Sequence, residues 1–523
     1  MSRYLKGPAM KFRAIAATLT ALSALPVSAV TALATPAQPQ PLDWGACPVG
    51  ALADSAAVCA AFEVPKDYAQ PEGEKITLTM SKLPATGESR GVIAGNPGGP
   101  GGSALGMFRG ADNLPGTVKL PDSVRENYDL VAVQPRGLPW GGPLDCGLAP
   151  IFEACEANKP GYTRTINTEN TARDLEEARK VLGQDRLNLY GVSYGTLLMS
   201  TYATLFPQHT GKMLLDSSMN PDDIWFQLGA SRKQARIDAL NAMFAWIAER
   251  DAEYGLGDTP LKVYRAWTQR VNEHLGLSAA PITPPPATEG DIPAGSSVGE
   301  LALTGANLVE EAKWRIGRLM ILPDIVRSFI EQPNGDSTWF TMVYEEALYS
   351  EKAWPRVAES LKTGTIVPDP LVENLFNRID GFSEEQMGTF VQEQAEVVRG
   401  LGNVDKSVLC NENRTPADPS RVTPMMVESV MGDQRKMAED MLASGQHCAG
   451  WPEPAPLLWA KGEALDTKPL LVGYDHDTAT TGAGNYAMQR EMGGELHVLP
   501  GYSHGVLLND PEAVEPQVAA YFS

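Results

Sequence analysis

The most constraining feature of this sequence is a G-x-S-x-G motif at residues 191–195. Residues 187–190 before it have the apolar pattern of a strand, and residues 194–206 after it have the pattern of a helix. Between a strand and a helix, this motif makes a sharp turn that projects the serine hydroxyl above the carboxyl edge of a sheet. The alternative is an ordinary turn. The context favours Ser193 as a nucleophile.

The strand and helix patterns along the chain predict an α/β fold. Short apolar strands alternate with helical stretches up to about Asn220, and strand patterns return at residues 469–472 and 495–499. The region between them is rich in helical periodicity. We therefore predict one largely parallel sheet with an inserted helical cap. The expected divisions are a signal peptide at residues 1–34, a first core segment at 41–222, a cap at 223–400 and a second core segment at 401–523.

The N-terminal residues predict export. A basic stretch precedes an apolar run at residues 14–30, and Ala32-Leu33-Ala34 is a pattern that signal peptidases accept. An uncleaved anchor is the alternative, and Met10 offers a second possible start. No later stretch is long and uncharged enough to span a bilayer. We expect an extracellular protein, with attachment to a cell wall left open.

The net charge excludes nucleic acid as a natural partner. It is −21, and loss of the leader, which holds four basic and no acidic residues, makes it −25. Such a surface repels nucleic acid and anionic lipid and attracts cations. The α-amino group of a peptide is one such cation.

The cysteines are consistent with an oxidising compartment. Six occur, and no C-x-x-C spacing suggests zinc or a redox motif. Of the possible connectivities we expect local pairing. The expected pairs are Cys47 with Cys59, Cys146 with Cys155, and Cys410 with Cys448.

A serine nucleophile needs a histidine as a base and a carboxylate to orient it. Among six histidines, His504 alone follows the last predicted strand and precedes the closing helix. The acid should follow the penultimate strand, where Asp475 and Asp477 both qualify. The resulting order of serine, aspartate and histidine is the one expected for α/β hydrolases.

A glycine-rich loop at residues 96–103 supplies backbone N–H groups near the predicted nucleophile. One of these groups and the N–H of Tyr194 would form an oxyanion hole. A phosphate-binding loop is the alternative, but neither G-K-[ST] nor G-x-G-x-x-G is present.

The glycine loop, the G-x-S-x-G motif, the V-Q-P-R-G segment at residues 133–137 and the D-x-x-T and G-x-S-H-G segments resemble the secreted tripeptidyl and prolyl aminopeptidases. These are α/β hydrolases related to proline iminopeptidase, with a TAP-like C-terminal region. The resemblance implies Asp477, rather than Asp475, as the acid and Gly99 as an oxyanion donor. Gln134 stands where the family has aspartate, and Thr481 and Pro97 also depart from its motifs.

The resemblance implies a secreted serine exopeptidase that releases tripeptides or tetrapeptides, with or without a preference for proline, from free N-termini. An enzyme of this kind requires no metal or cofactor. Glu346 matches a cap glutamate that binds the substrate's ammonium group, and Glu412 is a second candidate. Most glutamates in proteins are solvated surface charges without a binding role, and that is the alternative for Glu346 and for Glu412.

Two other functions remain open on the sequence alone. A carboxylesterase or lipase would use the same Ser193, Asp477 and His504, since the fold does not decide the substrate. A cell-surface binding protein on a hydrolase scaffold is the other, although it would be expected to lack one of these three residues. The sequence says nothing of the oligomeric state.

Overall fold

An eight-stranded sheet forms the centre of the computed structural model. The structure describes residues 42–147, 150–275, 282–293, 295, 299–319, 338–413, 415–431, 440–454 and 458–523. The predicted signal peptide lies outside these residues. The strands are β1 (Val58–Pro65), β2 (Lys75–Leu83), β3 (Val92–Asn96), β4 (Asp129–Val133), β5 (Leu187–Val192), β6 (Thr210–Asp216), β7 (Leu470–Tyr474) and β8 (Glu495–Leu499).

The strand order is β1-β2-β4-β3-β5-β6-β7-β8. The pairs of β2 with β1 and β4 are antiparallel, and all other pairs are parallel. In the register, Asn96 pairs with Gly191, and Val192 pairs with Asp216. The carboxyl ends of β3, β5 and β6 therefore meet at one edge of the sheet, and the candidate site lies there.

The central strands are apolar because both faces of the sheet are covered. All five residues of β3 and all five residues of β7 are buried. Strands of this kind are continuous apolar runs rather than alternating ones. The two apolar clusters on either side of the sheet confirm the predicted α/β architecture.

The helices are α1 (Asp122–Asn127), α2 (Phe152–Asn158), α3 (Thr168–Val181), α4 (Tyr194–Leu205), α5 (Phe226–Ala248), α6 (Asp251–Tyr254), α7 (Pro260–Leu275), α8 (Glu300–Leu319), α9 (Thr338–Thr341), α10 (Trp354–Thr363), α11 (Pro370–Asp380), α12 (Glu384–Glu412), α13 (Val422–Met431), α14 (Gly482–Met492), α15 (Val506–Asn509) and α16 (Pro511–Phe522). A π-helical segment follows α9 at Met342–Ala347. None of the helices that the structure describes is both long enough and apolar enough to cross a lipid bilayer.

The chain between β6 and β7 contains helices and no strand in its described part, as the cap prediction requires. These helices have an apolar cluster of their own, with Phe244, Trp267 and Trp339 buried in it. The boundary expected at residue 400 falls inside α12, which is continuous from Glu384 to Glu412. The C-terminal part of α12 packs on the core, since Val404 and Val408 belong to a cluster of the sheet.

Arg136, in the segment that resembles a family motif, forms a buried ion pair with Asp174 of α3. Its Nε and Nη2 atoms lie 2.7 and 2.6 Å from the two carboxylate oxygens of Asp174. Two more of its N–H groups donate to the carbonyls of Pro65 and Lys66. The guanidinium of Arg136 thus contacts both oxygens of one carboxylate and two backbone carbonyls. These contacts connect β1, α3 and the segment after β4.

Candidate active site

Ser193 occupies the sharp turn between β5 and α4. Its backbone has φ 59° and ψ −129°, and its N–H donates to the carbonyl of Asp216 at 3.0 Å. The two motif glycines are required by close backbone approach. A Cβ atom on Gly191 would lie 2.4 Å from the carbonyl oxygen of Gly195, and one on Gly195 would lie 2.4 Å from that of Asn96. The strained serine conformation is therefore possible only with glycine on both sides.

Two backbone N–H groups lie beside Ser193 without a hydrogen-bond partner among the described residues. They belong to Gly99, in the glycine loop, and to Tyr194, the first residue of α4. The loop is close to this turn, because a Cβ on Gly98 would lie 3.2 Å from the backbone nitrogen of Tyr194. The N–H of Gly98 itself donates to Asn96 Oδ1. The arrangement can stabilise a negatively charged oxygen above Ser193.

Gln134 holds the end of the glycine loop. Its Oε1 accepts from the N–H of Ala104 at 2.9 Å, and its Nε2 donates to the carbonyl of Pro139 at 2.9 Å and to Ser103 Oγ at 3.1 Å. An aspartate has no N–H to donate to Pro139. The departure from the family's aspartate is thus accommodated by an amide that both donates and accepts.

His504 and Asp477 form a buried hydrogen-bonded pair. Nδ1 of His504 lies 2.8 Å from Oδ2 of Asp477, and the two residues are 8% and 0% exposed. The Asp477 carboxylate also accepts from the N–H groups of Ala479 and Thr480, at 2.8 and 2.9 Å. With a proton on Nδ1, Nε2 of His504 is free to take a proton from a hydroxyl.

The electrostatics of this pair favour an ionised Asp477 and a basic His504. Burial by itself raises the pKa of Asp477, but the charge and hydrogen bond of His504 and the two backbone N–H groups outweigh it and lower the pKa. Burial by itself lowers the pKa of His504, but the charge and hydrogen bond of Asp477 outweigh it and raise the pKa. A histidine of this kind is a stronger base than a solvated one.

Ser193 and His504 line the same cavity, which has a volume of about 550 Å³. No hydrogen bond joins the Ser193 hydroxyl to the His504 ring in this structure. Such bonds are often long without substrate and shorten in the complex. Core residues and residues that follow β6 both contribute to the walls. The lining includes Gly99, Thr480, Trp225, Leu228, Arg232, Tyr349, Asp405, Leu409, Met441, Leu442 and His447.

Asp475, the other candidate acid, has a different role in the structure. Its Oδ1 accepts from the N–H of Gly501 at 2.9 Å and lies 2.7 Å from Nδ1 of His476. It is exposed and makes no contact with His504. Asp475 therefore joins the loops that follow β7 and β8.

Asp216 and Ser217 hold the chain that follows His504, and the sequence analysis missed both. Asp216 accepts from the N–H groups of Val506 and Leu507 at 2.7 and 2.9 Å, and Ser217 Oγ accepts from the N–H of Gly505 at 2.8 Å. Burial raises the pKa of Asp216 to about 6, against the lowering effect of these hydrogen bonds. The sequence signal for these two residues was a polar pair at the end of β6, a strand that neighbours β5.

Tyr349 connects the helical cap to the candidate base. Its carbonyl accepts from the N–H of His504 at 3.1 Å, and the two rings meet edge to face with centroids 5.7 Å apart. The position of the His504 loop therefore depends on the cap as well as on the core.

Glu346 does not lie where an ammonium-binding residue is expected. Its carboxylate forms an ion pair with Arg356 and lines a second cavity of about 700 Å³, which borders Tyr349 and His504 but not Ser193. The side chain is 43% exposed. Its charge is thus already paired within the cap.

Glu412 is also bound by protein groups. It is buried, and its two oxygens accept from the N–H of Thr168 at 2.6 Å and from Nε1 of Trp225 at 3.1 Å. Burial raises the pKa of Glu412 to about 7, although these hydrogen bonds lower it. Glu412 does not line the cavity of Ser193 but holds Trp225, which does. In this structure, both oxygens of its carboxylate are engaged by protein groups.

The structure has the local cysteine pairing that we expected, with the disulfides Cys47–Cys59, Cys146–Cys155 and Cys410–Cys448. The third joins α12 to the segment that carries His447, on the wall of the Ser193 cavity. Within the described ranges, no group of three or more His, Cys, Asp or Glu side chains is placed to hold a metal ion.

Comparisons with known proteins agree with this architecture. Residues 92–246 match the family described as alpha/beta hydrolase fold, and residues 434–523 match the family described as TAP-like protein. A tripeptidyl aminopeptidase of Streptomyces coelicolor is 34% identical over 262 residues, which are 43% of this chain and 47% of the relative. The chain therefore spans about half the length of that relative.

Two relatives from Mycobacterium tuberculosis align over most of the chain. A protein named serine protease Hip1 is 24% identical, with 94% of this chain and 90% of the relative covered. A protein named carboxylesterase B is 26% identical, with 89% and 84% covered. The sheet and the turn at Ser193 show an α/β-hydrolase fold, and the two matches make residues 92–246 similar to that family and residues 434–523 similar to TAP-like proteins.

Proposed function

We propose that this chain is a secreted serine exopeptidase that releases short peptides from free N-termini through an acyl-enzyme. The buried hydrogen bond between His504 and Asp477, beside a cavity that Ser193 also lines, is the observation that carries the proposal. The relatives named tripeptidyl aminopeptidase and serine protease support peptides as substrates.

In the first half of the reaction, Ser193 Oγ attacks the carbonyl carbon of the scissile bond while Nε2 of His504 takes its proton. The Asp477 carboxylate stabilises the imidazolium, and the N–H groups of Gly99 and Tyr194 donate to the oxyanion. Loss of one such donor typically costs about 10²–10³ in rate. His504 then protonates the leaving amine, and the C–N bond breaks.

In the second half, a water molecule attacks the ester between Ser193 and the N-terminal fragment. His504 takes a proton from this water and returns it to Ser193 Oγ when the ester bond breaks. The peptide fragment leaves as a carboxylic acid, so each turnover consumes one water molecule and restores the enzyme.

The walls of the cavity support cleavage near a chain end. Trp225, Leu228 and Tyr349, which follow β6, line it together with the core. Walls built partly from residues after β6 leave less room for the middle of a polypeptide than for a chain end. The relatives' names favour tripeptides as products, with tetrapeptides and cleavage after proline as variants that the experiment below distinguishes.

Export is part of this proposal. The N-terminal residues have the pattern of a signal peptide, and three disulfides favour an oxidising compartment. A net charge of −21 keeps the protein soluble and raises the local concentration of cationic substrates.

The test is cleavage of a peptide series by the purified mature protein, followed by mass spectrometry. Each peptide is supplied with a free and with an acetylated N-terminus, and Ser193→Ala is the control. We expect di-, tri- or tetrapeptide release to be much faster from the free N-termini than from the acetylated ones, and no release by the control. Equally fast cleavage of the free and the acetylated peptides, at sites away from the N-terminus, would contradict the exopeptidase proposal.

A carboxylesterase is the second candidate, favoured by the alignment with carboxylesterase B over 89% of the chain. Its Ser193, His504 and Asp477 would act in the same way on an ester. Rapid Ser193-dependent hydrolysis of simple esters without any peptide cleavage would replace the peptidase proposal by this one.

A further inference from the structure

We infer that Asp405 binds the ammonium group of the substrate's N-terminus, and that His447 accepts a second hydrogen bond from the same ammonium group. This inference rests on the proposed exopeptidase function and names the group that would give it its selectivity for chain ends. Neither residue was singled out for this role by the sequence.

Asp405 belongs to the part of α12 that packs against the glycine loop. A Cβ atom on Gly101 would lie 3.3 Å from the backbone nitrogen of Asp405. Asp405 lines the same cavity as Ser193 and Gly99, which neither Glu346 nor Glu412 does. A peptide whose carbonyl lies over Ser193 can therefore direct its N-terminus towards this wall.

The carboxylate of Asp405 is unpaired in the described part of the chain. It forms no hydrogen bond and no ion pair there, whereas Glu346 has Arg356, and Glu412 has Thr168 and Trp225. Burial raises the pKa of Asp405 to about 6, against the lowering effect of the charges of Arg232 and Lys406. A half-buried carboxylate that accepts no hydrogen bond is stabilised when a cation binds directly beside it.

His447 provides a second acceptor in the same cavity. Its Nε2 is buried and has no hydrogen-bond partner in the described structure. Burial, with a smaller effect from Lys406, lowers the pKa of His447 to about 4, so that the ring is neutral at ordinary pH. A neutral imidazole with its proton on Nδ1 accepts at Nε2, and an ammonium group has donors for both residues.

The position of His447 is fixed relative to α12. Lys406, the neighbour of Asp405, donates to the backbone carbonyl of His447, and the disulfide Cys410–Cys448 joins the adjacent residue to the same helix. The two acceptors thus lie on one wall that the packing keeps together. A preorganised pair of acceptors loses little entropy when the ammonium group binds.

The experiment compares kcat/KM for one peptide with a free and with an acetylated N-terminus, normalised to the fraction of enzyme that a fluorophosphonate labels at Ser193. We expect the wild-type protein to prefer the free peptide, and Asp405→Asn to reduce this preference by about 10- to 100-fold, the usual effect of one charged hydrogen bond. Glu346→Gln is the matched control, because it neutralises a carboxylate outside this cavity, and it should keep the wild-type ratio.

Asp405→Glu provides a second variant in case the asparagine variant does not fold. It keeps the charge and moves the carboxylate by one methylene, so it should lower kcat/KM for the free peptide more than for the acetylated one. His447→Phe should also reduce the preference, by less than Asp405→Asn does.

The outcomes separate the two proposals. A wild-type protein that prefers the free peptide, with the same ratio in Asp405→Asn, would overturn the inference alone and leave Asp405 as a counter-charge for Arg232. A wild-type protein that cleaves esters and no peptides would overturn the proposed function, and the inference with it.

Discussion

Nδ1 of His504 lies 2.8 Å from Oδ2 of Asp477, and the two residues come from loops that follow neighbouring strands, β8 and β7. Both are buried, so the interaction is little screened by solvent. The hydrogen bond fixes the ring orientation and leaves Nε2 directed away from Asp477. His504 can therefore act as a base for a group on the side of the cavity.

Asp477→Asn should reduce kcat by about 10⁴-fold, as expected when the acid can no longer hold the correct tautomer of the histidine. The rate of release from a free N-terminal peptide measures this effect. Asp475→Asn is the control, since Asp475 contacts His476 and Gly501 rather than His504. Equal losses in the two variants would contradict the assignment of Asp477.

The pH dependence of kcat/KM should show the effect of Asp477 on the pKa of His504. Asp477 raises the pKa of His504 above its ordinary value of about 6.5, and only the unprotonated ring can take the serine proton. Activity should thus fall as the pH decreases through a value above 6.5, earlier than for a solvated histidine. In Asp477→Asn the acidic limb should shift to lower pH, and an unchanged limb would argue against His504 as the base.

Gly98→Ala should reduce kcat by about 10²-fold or more, because the loop must move away from the oxyanion site. The residue has φ 96°, and a Cβ there would lie 2.6 Å from the carbonyl of Val192 and 2.9 Å from Cβ of Ser193. Gly183→Ala is the matched control, since Gly183 also has positive φ (66°) but no atom within 4 Å of the added Cβ. It should cost about 1–2 kcal/mol of stability and no activity. Wild-type kinetics for Gly98→Ala would contradict this role of the loop.

The features that sequence reasoning found were those encoded locally. The strand before Ser193, the turn with its two glycines and the helix after it are contiguous, so their order alone placed Ser193 at the end of β5. The loop positions of His504 and Asp477 followed from the last two strands in the same way. The choice of Asp477 over Asp475 needed the family resemblance, because both residues lie in one loop.

The features that sequence reasoning missed depend on contacts between distant segments of the chain. Glu412 is held by Thr168, which lies 244 positions away in the chain. Glu346 is paired with Arg356 through the fold of the cap. Asp405 reaches the Ser193 cavity only because α12 packs on the glycine loop. A glutamate or aspartate in a helical pattern carries no local sign of such packing.

Glu412→Ala should destabilise the protein by about 2–5 kcal/mol, because it leaves the buried N–H of Thr168 and Nε1 of Trp225 without an acceptor. The midpoint of urea unfolding measures the loss. Glu346→Ala, which removes a half-exposed ion pair with Arg356, should cost only about 0–1 kcal/mol. A destabilisation by Glu412→Ala as small as that of Glu346→Ala would show that the pocket around Glu412 readily admits water.

Asp405 should give the preference for free N-termini its own pH dependence. The ratio of kcat/KM for the free peptide to that for the acetylated peptide cancels the ionisation of His504, which both reactions need. Since burial raises the pKa of Asp405 to about 6, the carboxylate is lost below that value, and the ratio should fall as the pH decreases from 7 towards 5.

The other groups around Asp405 leave this window clear. The charges that face Asp405 are those of Arg232 and Lys406, and His447, whose pKa burial lowers to about 4, stays neutral between pH 5 and pH 7. Above pH of about 8 the ratio should fall again, because the substrate's α-amino group loses its proton. The Asp405→Asn variant should show no decrease between pH 7 and pH 5, since the group that titrates there has been removed. A ratio that is flat with pH in the wild-type protein would mean that another group binds the ammonium ion.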